Sequence, residues 1–275
     1  MILDSKLKIL KIIGRFFLLT FAILGLAVTL IFIVQQFGWT KVPGAVDPRS
    51  RYFQADFFQL ADQTWQKSAE WQTLRIALQK DAPKLRAAGE VAGISPRLIA
   101  TIVVGEQLRL YTSNREIFKQ VFAPLSILGV QTQFSLGVVG LKYDTAKMIE
   151  RNLLASSSSF YLGPTYEQTL AFSSTDHDQE RLNRLIDQQD HYYSYLYTGI
   201  YLHQIMTQWR KAGFDISQRP EIIATIYNIG FGNSHPNANP SAGGAEITLD
   251  GVTYTFGGLA HDFYYSDELI SDLPR

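Results

Sequence analysis

Two hydrophobic patterns run through this chain, one unbroken and one periodic. From Phe16 to Val34 every residue is uncharged, FFLLTFAILGLAVTLIFIV. At about 1.5 Å of rise per residue, a helix of that length matches the ~30 Å hydrocarbon core of a bilayer. Beyond it, apolar residues recur at three- and four-residue spacing, the mark of helices with one buried face. Ser95 to Leu110, SPRLIATIVVGEQLRL, is the clearest case. Serine followed by proline opens a helix, with a hydroxyl cap and then a residue that needs no N–H partner. Leu98, Ile99, Ile102 and Val103 then define one stripe, and Glu106 falls on it, four residues after Ile102.

The same spacing predicts further helices. Phe53, Phe57, Leu60, Trp65, Leu74 and Leu78 place one or two between Arg51 and Lys80. Another runs from Asp81 to Val91, with Pro83 near its start and Gly93 past its end. Thr145 to Leu154 is helical, with Asp144 as a cap, and the serines at 156 to 159 form a solvated loop. Ser174 or Thr175 caps a long helix reaching Lys211 and closed by Gly213. Its tyrosines 193, 197 and 201 lie four apart, a spacing that marks core. Pro220 opens the helix EIIATIYNIGFG, with Ile222, Ile223, Ile226 and Tyr227 inward. EITLDGVTYTF alternates about Asp250-Gly251, a hairpin with a type I′ turn and the one clear strand pair.

The fold class that follows is mainly α, one helical domain with a small β-hairpin, preceded by a single N-terminal transmembrane helix. Residues 1–15 form a tail, 16–35 the anchor in the lipid bilayer, 36–50 a linker and 51–92 lead-in helices, with the main domain at 93–275. Lys6, Lys8, Lys11 and Arg15 cluster before the apolar run, which places the N-terminus in the cytoplasm and the bulk of the chain outside, periplasmic or extracellular. A cleaved signal peptide is the alternative, but apolar residues continue well past the small residues at Gly25 to Ala27.

Composition narrows the chemistry. Net charge is zero, so no basic field points to nucleic acid. There is no cysteine, which excludes a thiolate metal site or a cysteine nucleophile. The five histidines lack zinc-ligand spacing, and no phosphate loop is present, so no metal and no cofactor is expected.

Attention therefore returns to Glu106. A carboxyl group on a buried helix face is costly to ionise, which suits it to deliver a proton to a substrate. The alternative is a charge at the stripe's edge, paired with Arg109 three residues on. A neutral amide would cost less than a carboxylate on that stripe, so Glu106→Gln is expected to keep or raise stability.

Three stretches, in order, resemble the soluble lytic transglycosylase and goose-type lysozyme group, which cuts peptidoglycan glycan strands. AGISPRLIATIVVGEQ is similar to the family helix that ends in its glutamate. SLGVVGLKYDTA is similar to the serine-glycine turn and the "G-L-M-Q-x-M-P-x-T-A" segment after it, and IATIYNIGFG to the "A-Y-N-A-G-x-G" helix end. Together they cover residues 93–232. The chain departs from the pattern at Gln107, where the family has serine, at Gly140, where it has glutamine, and at Tyr143, where it has proline.

The resemblance implies a lysozyme-like domain and a membrane-anchored enzyme acting on peptidoglycan glycan strands. Glu106 would be general acid and then base at the bond between N-acetylmuramic acid and N-acetylglucosamine, giving 1,6-anhydro products. Ser135 would hold the sugar or the glutamate, Tyr227 would hydrogen-bond near the glutamate, and Asn228 would brace the cleft. Hydrolysis stays open, since it needs a second carboxylate, for which Glu116 and Asp144 are nearest in sequence. So do a degenerate wall-binding relative and an unrelated membrane-tethered scaffold.

Overall fold

The computed structural model describes residues 15, 17–22, 24–26, 29, 63–112 and 135–275. The chain divides into two units, Met1–Val42 and Pro43–Arg275. In the first, the described residues are helical, and Phe17, Leu18, Leu19, Phe21, Leu24 and Leu26 are all exposed. Among the described residues no helix is long and apolar enough to cross a membrane. The predicted anchor is described only in part, and the tail at 1–14, the linker at 36–50 and Glu116 lie outside the described residues.

The second unit is mainly helical. A 3-10 turn, Gln63–Lys67, leads into helix α1, Ala69–Ala92. Ser68 caps α1 by accepting the Trp71 N–H at 3.2 Å, and Gly93, at φ 70, closes it. The sequence pattern puts a boundary near Asp81 because proline lacks an N–H, yet α1 runs straight through Pro83. Trp71, Leu74, Leu78, Ala82, Leu85, Ala88 and Ala92 form one buried stripe across the proline. Burying that stripe outweighs the ~3 kcal/mol that an interior proline forfeits. Pro83 itself is on the exposed side, where water can reach the carbonyl it leaves unbonded.

Helix α2, Pro96–Thr112, starts as its sequence indicates: the Ser95 hydroxyl accepts the Arg97 N–H at 3.1 Å. Next come two short strands, β1 (Ser135–Leu136) and β2 (Leu141–Lys142), paired antiparallel around the turn at 137–140. This strand pair is additional to the predicted hairpin. Helix α3, Tyr143–Leu154, follows without a gap; Asp144 sits in its first turn instead of capping it.

The long helix expected before Lys211 is two helices, α4 (His177–Ile186) and α5 (Tyr192–Lys211). Asp187 explains the break, because its Oδ1 accepts the N–H groups of Gln189 and Asp190 at 2.8 and 2.9 Å. That local bonding competes with the helical ladder and turns the chain out of it. The cap of α4 is Asp176, which accepts from Gln179 N–H at 3.0 Å. Tyr197 and Tyr201 are core, as their spacing predicts, but Tyr193 is only partly buried, with the Arg184 guanidinium 4.3 Å from its ring centroid.

Helix α6, Pro220–Ile229, is followed by β3 (Glu246–Leu249) and β4 (Val252–Thr255). Asp250 and Gly251 carry φ of 47° and 82° between them, the two left-handed positions of a type I′ turn. A helix that periodicity did not announce, α7 (Phe256–Tyr265), begins immediately after β4. Helix α1 packs on α2 and α5, and α7 packs on α2 and α6, so α2 runs between two layers.

Arg97 fixes the start of α2. It is fully buried, and its guanidinium donates to the carbonyls of Phe263, Tyr264 and Ser266, each at 2.7 Å. It also reaches Glu268 O at 2.9 Å and Leu273 O at 3.2 Å. One side chain thus satisfies the carbonyls left open at the end of α7 and in the C-terminal tail.

Candidate active site

Helix α2 carries Glu106 into the interior, where the side chain is buried with 2% of the residue exposed. Arg109, also buried, donates from Nη2 to Glu106 Oε2, so the carboxylate and guanidinium form an ion pair within one helix face. Gly105, one residue earlier, lets α7 approach closely: a Cβ there would sit 2.7 Å from the Phe256 ring.

The turn at 137–140 closes over this pair. Gly140 adopts φ +63°, and a Cβ on it would fall 2.8 Å from Glu106 Cδ and closer still to Oε2. Only glycine fits there, for both backbone and space. Where the family pattern has glutamine, this chain therefore has bare backbone lying directly on the carboxyl group. Gln107 turns to the same loop and donates from Nε2 to Val138 O at 2.5 Å.

Tyr227, from the last turn of α6, reaches the loop from the other side. Its hydroxyl donates to Val139 O at 2.8 Å. Burial, and then the nearby charge of Glu106, push the phenol well above its ordinary range, so Tyr227 is a neutral donor at physiological pH. The Tyr201 ring backs it at a centroid distance of 5.1 Å. Residues 106, 138–140 and 227, far apart in sequence, therefore meet in one place.

The other predicted residues are placed differently. Ser135 pairs through its backbone with Lys142, and its side chain lies outside the described residues. Asn228 faces the strand region, where its Oδ1 accepts the Ala245 N–H at 2.9 Å. Asp144 is exposed on the first turn of α3. The described residues form a shallow groove on α4 and another beside α6, and Glu106 lines neither. Among those residues no cluster of histidine and carboxylate side chains has the makings of a metal site.

Three features escaped the sequence reading. Gly140 looked like a departure from the family pattern, and its contact with Glu106 needed the fold. Arg97 carried no signal, since a basic residue in a first helical turn is ordinarily solvated. A second ion pair, Glu150 with Arg181, joins α3 and α4 across the 155–176 segment. Comparison with protein-family models, with curated proteins and with solved structures gives no match for this chain.

Proposed function

We propose that this protein is a membrane-anchored, lysozyme-like enzyme that cleaves peptidoglycan glycan strands, with Glu106 as its proton-transfer group. What supports the reading is the convergence of three sequence-distant segments on one buried carboxyl: Gly140 on its surface, Gln107 and Tyr227 on the flanking carbonyls. These are the segments whose motifs and order resemble the transglycosylase pattern. The exposed apolar side chains of the N-terminal helix support the anchor.

The reaction follows from one group acting twice. The Glu106 carboxyl gives its proton to the glycosidic oxygen as the C1–O bond breaks and oxocarbenium character develops on the sugar. The carboxylate so formed takes the proton of the sugar's own C6 hydroxyl while that oxygen bonds to C1. The product is a 1,6-anhydro end, no water is consumed, and Glu106 ends protonated as it began. In the form described here Glu106 is paired with Arg109 and covered by Gly140. Entry of a glycan must therefore lift the 137–140 turn and draw Arg109 away, freeing the carboxyl to take up the proton it delivers.

One observation favours a second reading. With 2% of Glu106 exposed and neither groove lined by it, the burial also supports a wall-binding relative that does not cut. The separating experiment is incubation of full-length protein with purified peptidoglycan, followed by mass spectrometry of soluble products. Anhydro ends support the transglycosylase, and reducing ends, heavier by one water, support hydrolysis. Retention on insoluble peptidoglycan without products supports the binding protein.

A further inference from the structure

Between the buried side chains of α6 and the segment after it lies a groove of about 350 Å³ that is separate from the Glu106 region. Its floor is apolar: Ile222, Ile226 and Ile229 at helical spacing, with Trp209 of α5 beside them. Tyr227 projects from the other side of the same helix, toward Val139. The wall is the segment 233–241, NSHPNANPS, which contributes His235, Asn239 and Ser241.

That wall is held in place before any ligand arrives. Trp209 donates from its indole to Ser234 Oγ at 3.0 Å, and Gln208 donates to Ser234 O at 3.2 Å. Asn237 donates to His235 O at 2.9 Å and accepts the Asn239 N–H at 2.9 Å. At the far end Thr225 Oγ1 accepts the Gly243 N–H at 2.9 Å. Prolines 236 and 240 fix φ within the segment. A preorganised loop loses little entropy when it binds.

The lining also has a distinctive charge. No aspartate, glutamate, lysine or arginine contributes to it. Carboxylates, phosphates and amines would enter without a counter-charge and would be desolvated at a cost. The side chains of His235, Asn239 and Ser241 have no hydrogen-bond partner among the described residues, leaving amide, imidazole and hydroxyl groups over an apolar floor. A neutral sugar ring with hydroxyls on its edges and C–H groups on its face has the complementary pattern.

We propose that this groove is a binding site for a neutral saccharide unit, distinct from the site of bond cleavage. The choice of a saccharide over another neutral polar ligand rests on the glycan-directed function proposed above; the groove and its lack of charge do not. A site of this kind would hold a glycan strand at a second point while another part of it is cut.

The test uses full-length protein labelled with nitrogen-15 at the tryptophan indoles and the methyl β-glycoside of N-acetylglucosamine, which has no inter-sugar bond to cleave. The Trp209 indole resonance is expected to shift saturably, and the paired variant His235→Ala/Asn239→Ala to bind at least about tenfold more weakly at an unchanged melting temperature. Three results would overturn the proposal: no saturable shift at Trp209, a shift that the paired variant leaves unaltered, or an equal shift from the neutral peptide N-acetylalanine methylamide. The readout needs no turnover. If peptidoglycan is never cleaved but the sugar binds here, the groove stands without the enzyme; cleavage without this binding leaves the enzyme without the groove.

Discussion

Two carboxylate–guanidinium pairs of the second unit, Glu150–Arg181 and Glu106–Arg109, are built differently. Arg181 meets Glu150 with two bonds, Nε to Oε1 at 2.7 Å and Nη2 to Oε2 at 2.6 Å. It also reaches Asp178 at 2.6 Å and the Tyr143 hydroxyl at 2.9 Å, while Tyr197 donates to Glu150 at 2.6 Å. Its guanidinium lies about 5 Å from the rings of Tyr143 and Phe172. Burial opposes its charge, but the Glu150 and Asp178 contacts win and raise it above the ordinary arginine value. Glu150 is on α3, Arg181 on α4 and Tyr197 on α5, so this network ties three helices.

The Glu106–Arg109 pair joins two residues three apart on one helix, and that bond links no two elements. Around it stand a bare glycine backbone and a neutral tyrosine. Burying charge is costly, and the Glu106–Arg109 bond does not offset that cost by tying one element to another. The contrast separates an ionic network that joins three helices from an ion pair formed within one.

Breaking the contrast is most visible at the structural network. Arg181→Met leaves Glu150 without its guanidinium and is expected to lower the unfolding free energy by about 3–5 kcal/mol. A denaturant titration reads this directly, and a loss below ~1 kcal/mol would mean that the network ties nothing. Gly140→Ala comes next, expected at about 1–3 kcal/mol because the residue has φ +63° and the added methyl meets Glu106. Here glycan cleavage should fall with stability, whereas Arg181→Met should spare the turnover of whatever protein remains folded. Tyr227→Phe removes the donor to Val139 O and is expected to cost about 1 kcal/mol. Equal melting temperatures for Tyr227→Phe and the wild type would show that the bond is not formed in solution.

The smallest effect concerns pH. Burial acts to raise Glu180, but the N–H groups of Ser173 and Ser174 outweigh it and hold the carboxyl at about 2, below its ordinary 4.5. A depressed folded value contributes stability that is present above the unfolded value and lost as pH falls through the folded one. Wild-type stability should therefore decline between 4.5 and about 2 more steeply than that of Glu180→Gln. Parallel acid-unfolding curves would contradict this.

How much of this was readable beforehand depended on whether the signal was local. Ser95-Pro96, the stripe under Glu106 and the Asp250-Gly251 turn are decided by neighbouring residues, and each formed as its sequence indicates. Pro83 misled because a local cost was set against a tertiary gain visible only once α2 and α5 cover α1. The α4–α5 break turned on a single aspartate bonding two N–H groups ahead of it, a choice that apolar periodicity does not register. Helix α7 begins where Thr255 Oγ1 accepts the Gly258 N–H, but Gly257 and Gly258 in its first turn obscure the helical pattern. At the site, Glu106 could be named from one helix. That Arg109 pairs with it and Gly140 covers it required three segments to be folded together.

The pairing also revises the stability expected of Glu106→Gln. The sequence alone predicts no loss; with Arg109 buried beside it, the single change removes the carboxylate facing a buried guanidinium and should be destabilising by about 3–5 kcal/mol. The double variant Glu106→Gln/Arg109→Met removes both charges and should recover most of that loss. Its turnover of purified peptidoglycan is the most direct test of Glu106 as the proton-transfer group. A folded double variant, close to the wild type in melting temperature, should release no glycan fragments, since general acid–base catalysis contributes on the order of 10²–10⁴-fold. Fragments released at the wild-type rate by that variant would contradict the assignment of Glu106.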